Sequence, residues 1–302
     1  MRIAIVTTVT LAAFAANSIL CRLALGANLI DPVWFTAVRL VSGAVVLAVV
    51  SRLLPESQPP KSKGGDWTSG FALFAYAIAF SLAYVSLSTG TGALILFGTV
   101  QVTMIGAALK SGERLGSVQW IGFAVAIGGL TYLVLPGLSA PDPIGAVLMS
   151  LAGLAWSVYS IRGKNVSAPV SMTAGNFLRS VPFALVALAV GSSSAHPKLT
   201  GILLALISGM ITSGLGYVIW YKVLRDLTTT QASAAQLMVP VFAALGGVAC
   251  LSERISLKLI IASALILGGV VLALRKTNRR RGLITNSSPG KALKRDCTTV
   301  AE

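Results

Sequence analysis

An all-α integral membrane protein, with ten transmembrane helices arranged as two inverted five-helix repeats, is the fold the sequence predicts. Three observations predict it. The 302-residue chain is 55% hydrophobic and 11% charged, with mean hydropathy +0.83, whereas a soluble domain carries roughly a quarter charged residues. Stretches of about 20 mostly apolar residues, long enough to cross a bilayer core, recur along it. An ungapped offset of 140 residues pairs Glu113-Arg114 with Glu253-Arg254, Gly106 with Gly246, Ile121 with Ile261, Ala124 with Ala264 and Gly128-Gly129 with Gly268-Gly269. The chain is therefore a duplication.

The first segment is centred near Phe14. It follows Arg2 as a signal peptide would, but runs past Asn17 to about Leu25 without a convincing cleavage site, and is expected to remain as a helix. The second and third lie near Ala44 and Ile78. Trp34 and Trp67 open them and Trp120 opens the fifth, as in the aromatic belt of a membrane interface. The longest connection, Leu54 to Asp66, is broken by Pro55, Pro59, Pro60 and Gly64-Gly65. Segments near Val100 and Ala126 complete a first repeat, residues 1–136. Those near Leu154, Leu185, Met210, Phe242 and Leu265 form the second, residues 137–275. Five helices per copy is odd, so the two copies face opposite ways. Residues 276–302 form a basic tail without periodicity, expected to be disordered and cytoplasmic.

Orientation follows from the basic residues. With the amino terminus inside, Arg52, Lys61, Lys63, Lys110, Arg114, Arg162, Lys164, Lys222 and Arg225 fall on the inner side. Only Arg22, Lys198, Arg254 and Lys258 fall outside, so both termini are expected in the cytoplasm. The net charge of +15 includes eight of the 24 lysines and arginines after position 274, a basic tail that marks a cytoplasmic helix end and attracts anionic lipid rather than nucleic acid. Cys21, Cys250 and Cys297 offer neither a disulfide framework nor metal-ligand spacing.

These features resemble the drug/metabolite transporter superfamily, specifically its ten-helix EamA type. The resemblance rests on Gly106 through Glu113-Arg114 to Gly128-Gly129. It rests more specifically on the run from Met238 to Gly247, continuing through Ser252-Glu253-Arg254 to Gly268-Gly269. Asn17-Ser18, Trp156-Ser157, Arg39 and Arg179 add to it. It implies a secondary transporter exporting small metabolites, with amino acids, aromatic or other apolar ones included, as the expected substrates. The implied setting is a bacterial inner membrane, and the implied mechanism is alternating access. It also implies a lining drawn largely from segments 1, 3, 4, 6, 8 and 9, with parts of 2 and 7, and with segments 5 and 10 peripheral. Pro240 has Val100 as its first-half partner, so a kink is expected in segment 9 and not in segment 4.

Every acidic residue, Asp31, Glu56, Asp66, Glu113, Asp142, Asp226, Glu253, Asp296 and Glu302, maps to a connection or to the tail. A buried carboxylate is the common carrier of coupled protons, so its absence argues against carboxylate-driven antiport and against capture of lipophilic cations by a countercharge. His196 lies in a connection without partners at metal spacing. No catalytic residue, metal or cofactor is expected. Arg39 and Arg179, again 140 apart, sit well inside their segments, where an arginine costs on the order of 2.5–3.5 kcal/mol on insertion scales. Each must either meet a substrate carboxylate or bind backbone carbonyls and polar groups such as Asn17 or Asn176. The remaining substrate-binding candidates are Asn17, Tyr76, Tyr84, Gln101, Trp156, Tyr159, Tyr217, Trp220 and Gln236, with Ser18, Thr103, Tyr221 and Gln231 beside them. Amides are not left facing lipid, and rings could wall a cavity for an apolar tail. The Glu-Arg turns read as helix-terminus and loop ion pairs, and the Gly-Gly pairs as helix packing. Exporters of nucleosides, sugars or lipophilic cations are the alternative; a channel and a membrane-embedded enzyme are remoter ones. A monomer or weak homodimer in the lipid bilayer is expected.

Overall fold

Every regular element is a helix among the residues the computed structural model describes, which are 2–53, 64–110, 116–135, 140–163, 168–191, 197–224, 235–236 and 238–273. The helices are α1 (Arg2–Gly26), α2 (Pro32–Leu53), α3 (Trp67–Ala83), α4 (Thr89–Lys110), α5 (Ser117–Val134), α6 (Pro143–Gly163) and α7 (Pro169–Gly191). They continue with α8 (Leu199–Ile207), α9 (Gly216–Leu224), α10 (Met238–Leu251) and α11 (Leu257–Ala273), with a π-helical stretch, Ser208–Leu215, joining α8 to α9 as one span. Six spans are long and apolar enough to cross a membrane, and the shorter apolar helices α3, α5, α10 and α11 occupy the other expected segments. Large side chains such as Ile144, Leu199 and Val190 stand 72%, 71% and 85% exposed, which a bilayer tolerates and water does not. The chain is an all-α, multi-pass membrane protein.

The acidic residues explain how several helices begin. Asp31 accepts from the Val33 amide at 2.8 Å, Asp66 from the Ser69 amide at 2.9 Å and Asp142 from the Gly145 amide at 2.6 Å. Each thereby caps the helix that follows. Prolines open α2 and α6 directly after such an aspartate, a position where the missing N–H is no loss. At the end of α1, Asn28 adopts a left-handed φ of 50° and the Leu29 amide reaches back to the Ala24 carbonyl at 2.9 Å; this closes the helix.

Contacts between helices pair off under the 140-residue offset. Helix α3 packs on α6 and α7, as the α8–α9 span packs on α1 and α2; α4 packs on α6, as α10 packs on α1. Helices α2 and α7 pack on each other, and so do α5 and α11. The last pair sits at the periphery and meets the rest chiefly through α4. One glycine of each Gly-Gly pair makes that contact: a methyl on Gly129 would lie 2.7 Å from Leu265 Cβ, and one on Gly269 2.5 Å from the Ala126 nitrogen, whereas Gly128 and Gly268 face open space.

The expected proline kink takes another form. Pro240 falls in the first turn of α10, and the proline interior to a helix is Pro182 of α7. Glu56, Glu113-Arg114, His196, Asp226, Gln231, the 136/137 repeat boundary and the tail from residue 276 lie outside the described residues.

Candidate functional site

Rings from α1, α3, α6 and α9 meet in one cluster. Trp156 of α6 is the hub, with ring centroids 6.0 Å from Phe14 of α1, 5.0 Å from Tyr76 of α3, 5.7 Å from Tyr159 and 4.9 Å from Tyr217 of α9. Phe14 also takes the edges of Tyr217 and Trp220 at 5.7 and 5.6 Å. The chain of rings extends on α3 from Tyr76 to Phe80 and Tyr84, and on the other side from Tyr159 to Tyr221. Spacings of four residues, from Tyr76 and Phe80 within α3 to Tyr84 at its C-cap, put these three rings on one face.

A cavity opens among these rings, lined by Phe14, Asn17, Ser18, Tyr76, Phe80, Leu96, Phe97, Trp156 and Tyr217. Five helices, α1, α3, α4, α6 and α9, contribute to it. Its volume is about 10 Å³, room for one water, so a metabolite enters only when the rings part. Asn17 is fixed beside it by the Ser208 and Thr212 hydroxyls, which donate to its side-chain oxygen at 2.6 and 3.1 Å.

Arg39 lies directly behind this wall. Buried at 1% exposure, it places its guanidinium carbon 5.3 Å from the ring centroids of Tyr76 and Phe80. Its Nε donates to Ser213 Oγ at 2.9 Å, and its Nη2 donates to the Tyr217 and Tyr76 hydroxyls at 3.3 and 3.5 Å. Its Nη1 is buried without a partner. The backbone of the π-helical stretch comes this close because Gly209 has no side chain: a methyl there would overlap the Ser42 hydroxyl and the Arg39 carbonyl oxygen. Arg179 has a different fate. It donates to the Gly64 and Gly175 carbonyls at 2.7 and 3.0 Å, tying α7 to the segment before α3.

Polar contacts fasten both ends of α3, which lines the cavity. At one end, Arg22 of α1 donates to the Tyr84 and Val85 carbonyls at 3.0 and 2.7 Å and approaches Glu253 at 3.6 Å. Glu253 in turn accepts from the Thr89 amide at 2.9 Å and the Thr89 hydroxyl at 3.1 Å, capping α4 from the turn between α10 and α11. The helix-terminus role expected of this turn holds, with Arg22 as the partner of Glu253. At the other end, Arg162 of α6 bonds Asp66 at 3.0 Å and Ser69 Oγ at 3.1 Å, while Asn176 of α7 accepts from the Asp66 amide at 3.0 Å.

Of the residues singled out in the sequence, Asn17, Tyr76, Trp156 and Tyr217 line the cavity and Arg39 backs it. Tyr159 and Trp220 form a second layer of rings. Tyr84 points away, donating to the Thr89 carbonyl at 3.3 Å, and Gln101 and Gln236 are buried away from the lining. Phe14, Phe80, Leu96, Phe97 and Ser213 were missed. The four-residue spacing from Tyr76 was the available signal for Phe80.

Comparison with known proteins agrees with this architecture. The model of the EamA-like transporter family matches residues 143–275. An uncharacterized protein of Pseudomonas aeruginosa is 47% identical over 273 residues, covering 90% of this chain and 94% of that one. A probable amino-acid metabolite efflux pump of Escherichia coli is 25% identical, covering 69% and 74%. An uncharacterized inner membrane transporter of the same species, YedA, is 27% identical, covering 60% of each. A solved crystal structure superposes with a TM-score of 0.62 at 20% identity, covering 88% of this chain and 98% of that one, and so shares the fold. With this coverage and identity, the chain belongs to the EamA-like transporter family within the drug/metabolite transporters.

Proposed function

We propose that this transporter exports small metabolites, with amino acids as the substrate class and aromatic or other apolar ones foremost, by alternating access across the bacterial inner membrane. The observation that carries the reading is the closed cavity, which is walled by aromatic rings, edged by the Asn17 amide and Ser18 hydroxyl, and formed by helices from both halves. Amides and hydroxyls suit the head of a zwitterion, and rings suit an apolar tail. An inverted pair of five-helix halves around such a site is the arrangement that exposes it alternately to the two sides. The lysine and arginine bias supports an orientation with both termini cytoplasmic. The efflux pump among the relatives supports the direction and the substrate class.

Counterflow into liposomes containing the purified protein tests this reading. Accumulation of labelled phenylalanine or leucine against the unlabelled amino acid is expected. Counterflow with a nucleoside or sugar, and with no amino acid, refutes it.

A further inference from the structure

We propose that Arg39 makes this site a receptor for a single carboxylate, so that the transported species is an organic monoanion or a zwitterion gripped by its acid end, with an aromatic or apolar body. This deepens the amino-acid reading and rests on it for the location of the site. A guanidinium has five N–H donors and no acceptor. Three of Arg39's donors go to neutral oxygens on Ser213, Tyr76 and Tyr217, and the two on Nη1 have none. Among the described residues the ion pairs are Arg22 with Glu253 and Arg162 with Asp66, so no carboxylate answers the Arg39 charge.

The tyrosines carry this demand into the cavity. Because Arg39 can only donate, the Tyr76 and Tyr217 oxygens accept from it and keep their own hydrogens for another acceptor. Both rings line the cavity, so the side chains that hold Arg39 are the ones a ligand touches, while the Arg39 Nη1 donors stay without an acceptor. A buried donor without an acceptor is costly, and a ligand that brings acceptor oxygens relieves that cost here.

Charge then selects the ligand class. One fixed positive charge is balanced by one carboxylate, whereas a phosphate dianion would leave a negative charge among Phe14, Phe80 and Trp156. A lipophilic cation would find aromatic faces, but with a like charge 5.3 Å behind those of Tyr76 and Phe80. The site therefore discriminates against cations, while the rings cover an apolar body.

Binding to the purified, detergent-solubilised full chain tests this with four probes that share a phenyl ring: L-phenylalanine, 3-phenylpropionate, L-phenylalaninamide and phenethylamine. The two acids are expected to bind, and the amide and the amine to bind weaker by about tenfold or more. Arg39→Met is expected to abolish acid binding while unfolding at the same temperature or higher, since it removes a buried and incompletely partnered charge; Arg39→Lys keeps part of the binding. Equal binding of acid and amide, preference for phenethylamine, binding of none of the four, or acid binding retained in Arg39→Met would overturn the proposal. Should Arg39→Met fail to fold, the four probes on the unaltered chain still decide. The two readings separate cleanly. Binding of 3-phenylpropionate without phenylalanine keeps the carboxylate site and removes the amino-acid substrate, whereas equal binding of phenylalanine and its amide does the reverse.

Discussion

Arg22 and Arg162, 140 residues apart in the sequence, fasten opposite ends of the same helix. Arg22 holds the carbonyls of Tyr84 and Val85 just past the end of α3, and Arg162 holds Asp66 and Ser69 at its start. Side chains related by the 140-residue offset therefore tie the two ends of α3 to α1 and α6 respectively.

The Arg22–Glu253 contact should be measurable as a coupling. Glu253→Gln keeps an acceptor for the Thr89 amide but loses the charge, and Arg22→Gln loses the same ion pair. Thermal unfolding of the two single variants and the double variant should give a coupling of at most about 1 kcal/mol, since Arg22 is partly exposed. Strict additivity would show that the 3.6 Å approach contributes nothing. Glu253→Ala also removes the cap of α4 and should cost roughly 1 kcal/mol more.

The opposite end should respond to acid. Burial pushes the Asp66 carboxyl up, but the Ser69 hydroxyl, the Ser69 amide and Arg162 outweigh it and hold the group below its ordinary value of 3.8. A depressed carboxylate contributes stability above its unfolded value and loses it as pH falls through the folded one. Melting temperatures between about pH 5 and pH 3 should therefore fall in the unaltered chain by more than in Asp66→Asn. Parallel curves would refute the assignment.

Two glycine-to-alanine changes should act in opposite directions. Gly209→Ala drives a methyl into Ser42 and the Arg39 carbonyl and should cost about 1–3 kcal/mol. Gly128→Ala meets nothing within 4 Å and should stabilise its helix by roughly 0.5–1 kcal/mol. Unfolding in detergent distinguishes them, and a neutral Gly209→Ala would mean that α2 and the π-helical stretch do not pack as described.

Trp156 should be the most sensitive ring. It touches Phe14, Tyr76, Tyr159 and Tyr217, so Trp156→Ala empties the hub and should cost about 3–5 kcal/mol. Trp156→Phe keeps most of the wall and should cost less than half of that. Equal losses would show that a smaller ring at this position recovers none of the contacts of the indole.

The membrane spans were legible because each is a long apolar run and because Glu253, Gly269 and their counterparts repeat at one offset. The partners of the central site were not. Tyr76 has Gly216 as its offset partner, yet the ring that shares Arg39 with it is Tyr217, one position further on. A π-helical stretch holds more residues per turn than an α-helix, and Ser208–Leu215 shifts the register of α9 in a way that periodicity does not reveal. Arg39 and Arg179 looked equivalent for the same reason: their positions repeat, but only the folded chain brings the Gly64 carbonyl to Arg179 and tyrosine hydroxyls to Arg39. In spans apolar on every face, little in the pattern of side chains says which face turns inward.

The Arg39 charge has an electrical consequence. It lies about a third of the way along α2, inside the low-dielectric slab across which a cell maintains its voltage. An elementary charge carried across the full drop exchanges about 2.3 kcal/mol per 100 mV. With no neighbouring carboxylate among the described residues, the empty protein presents that charge to the field uncancelled. Any rearrangement that moves the field relative to Arg39 is then biased by the membrane potential, even before cargo binds.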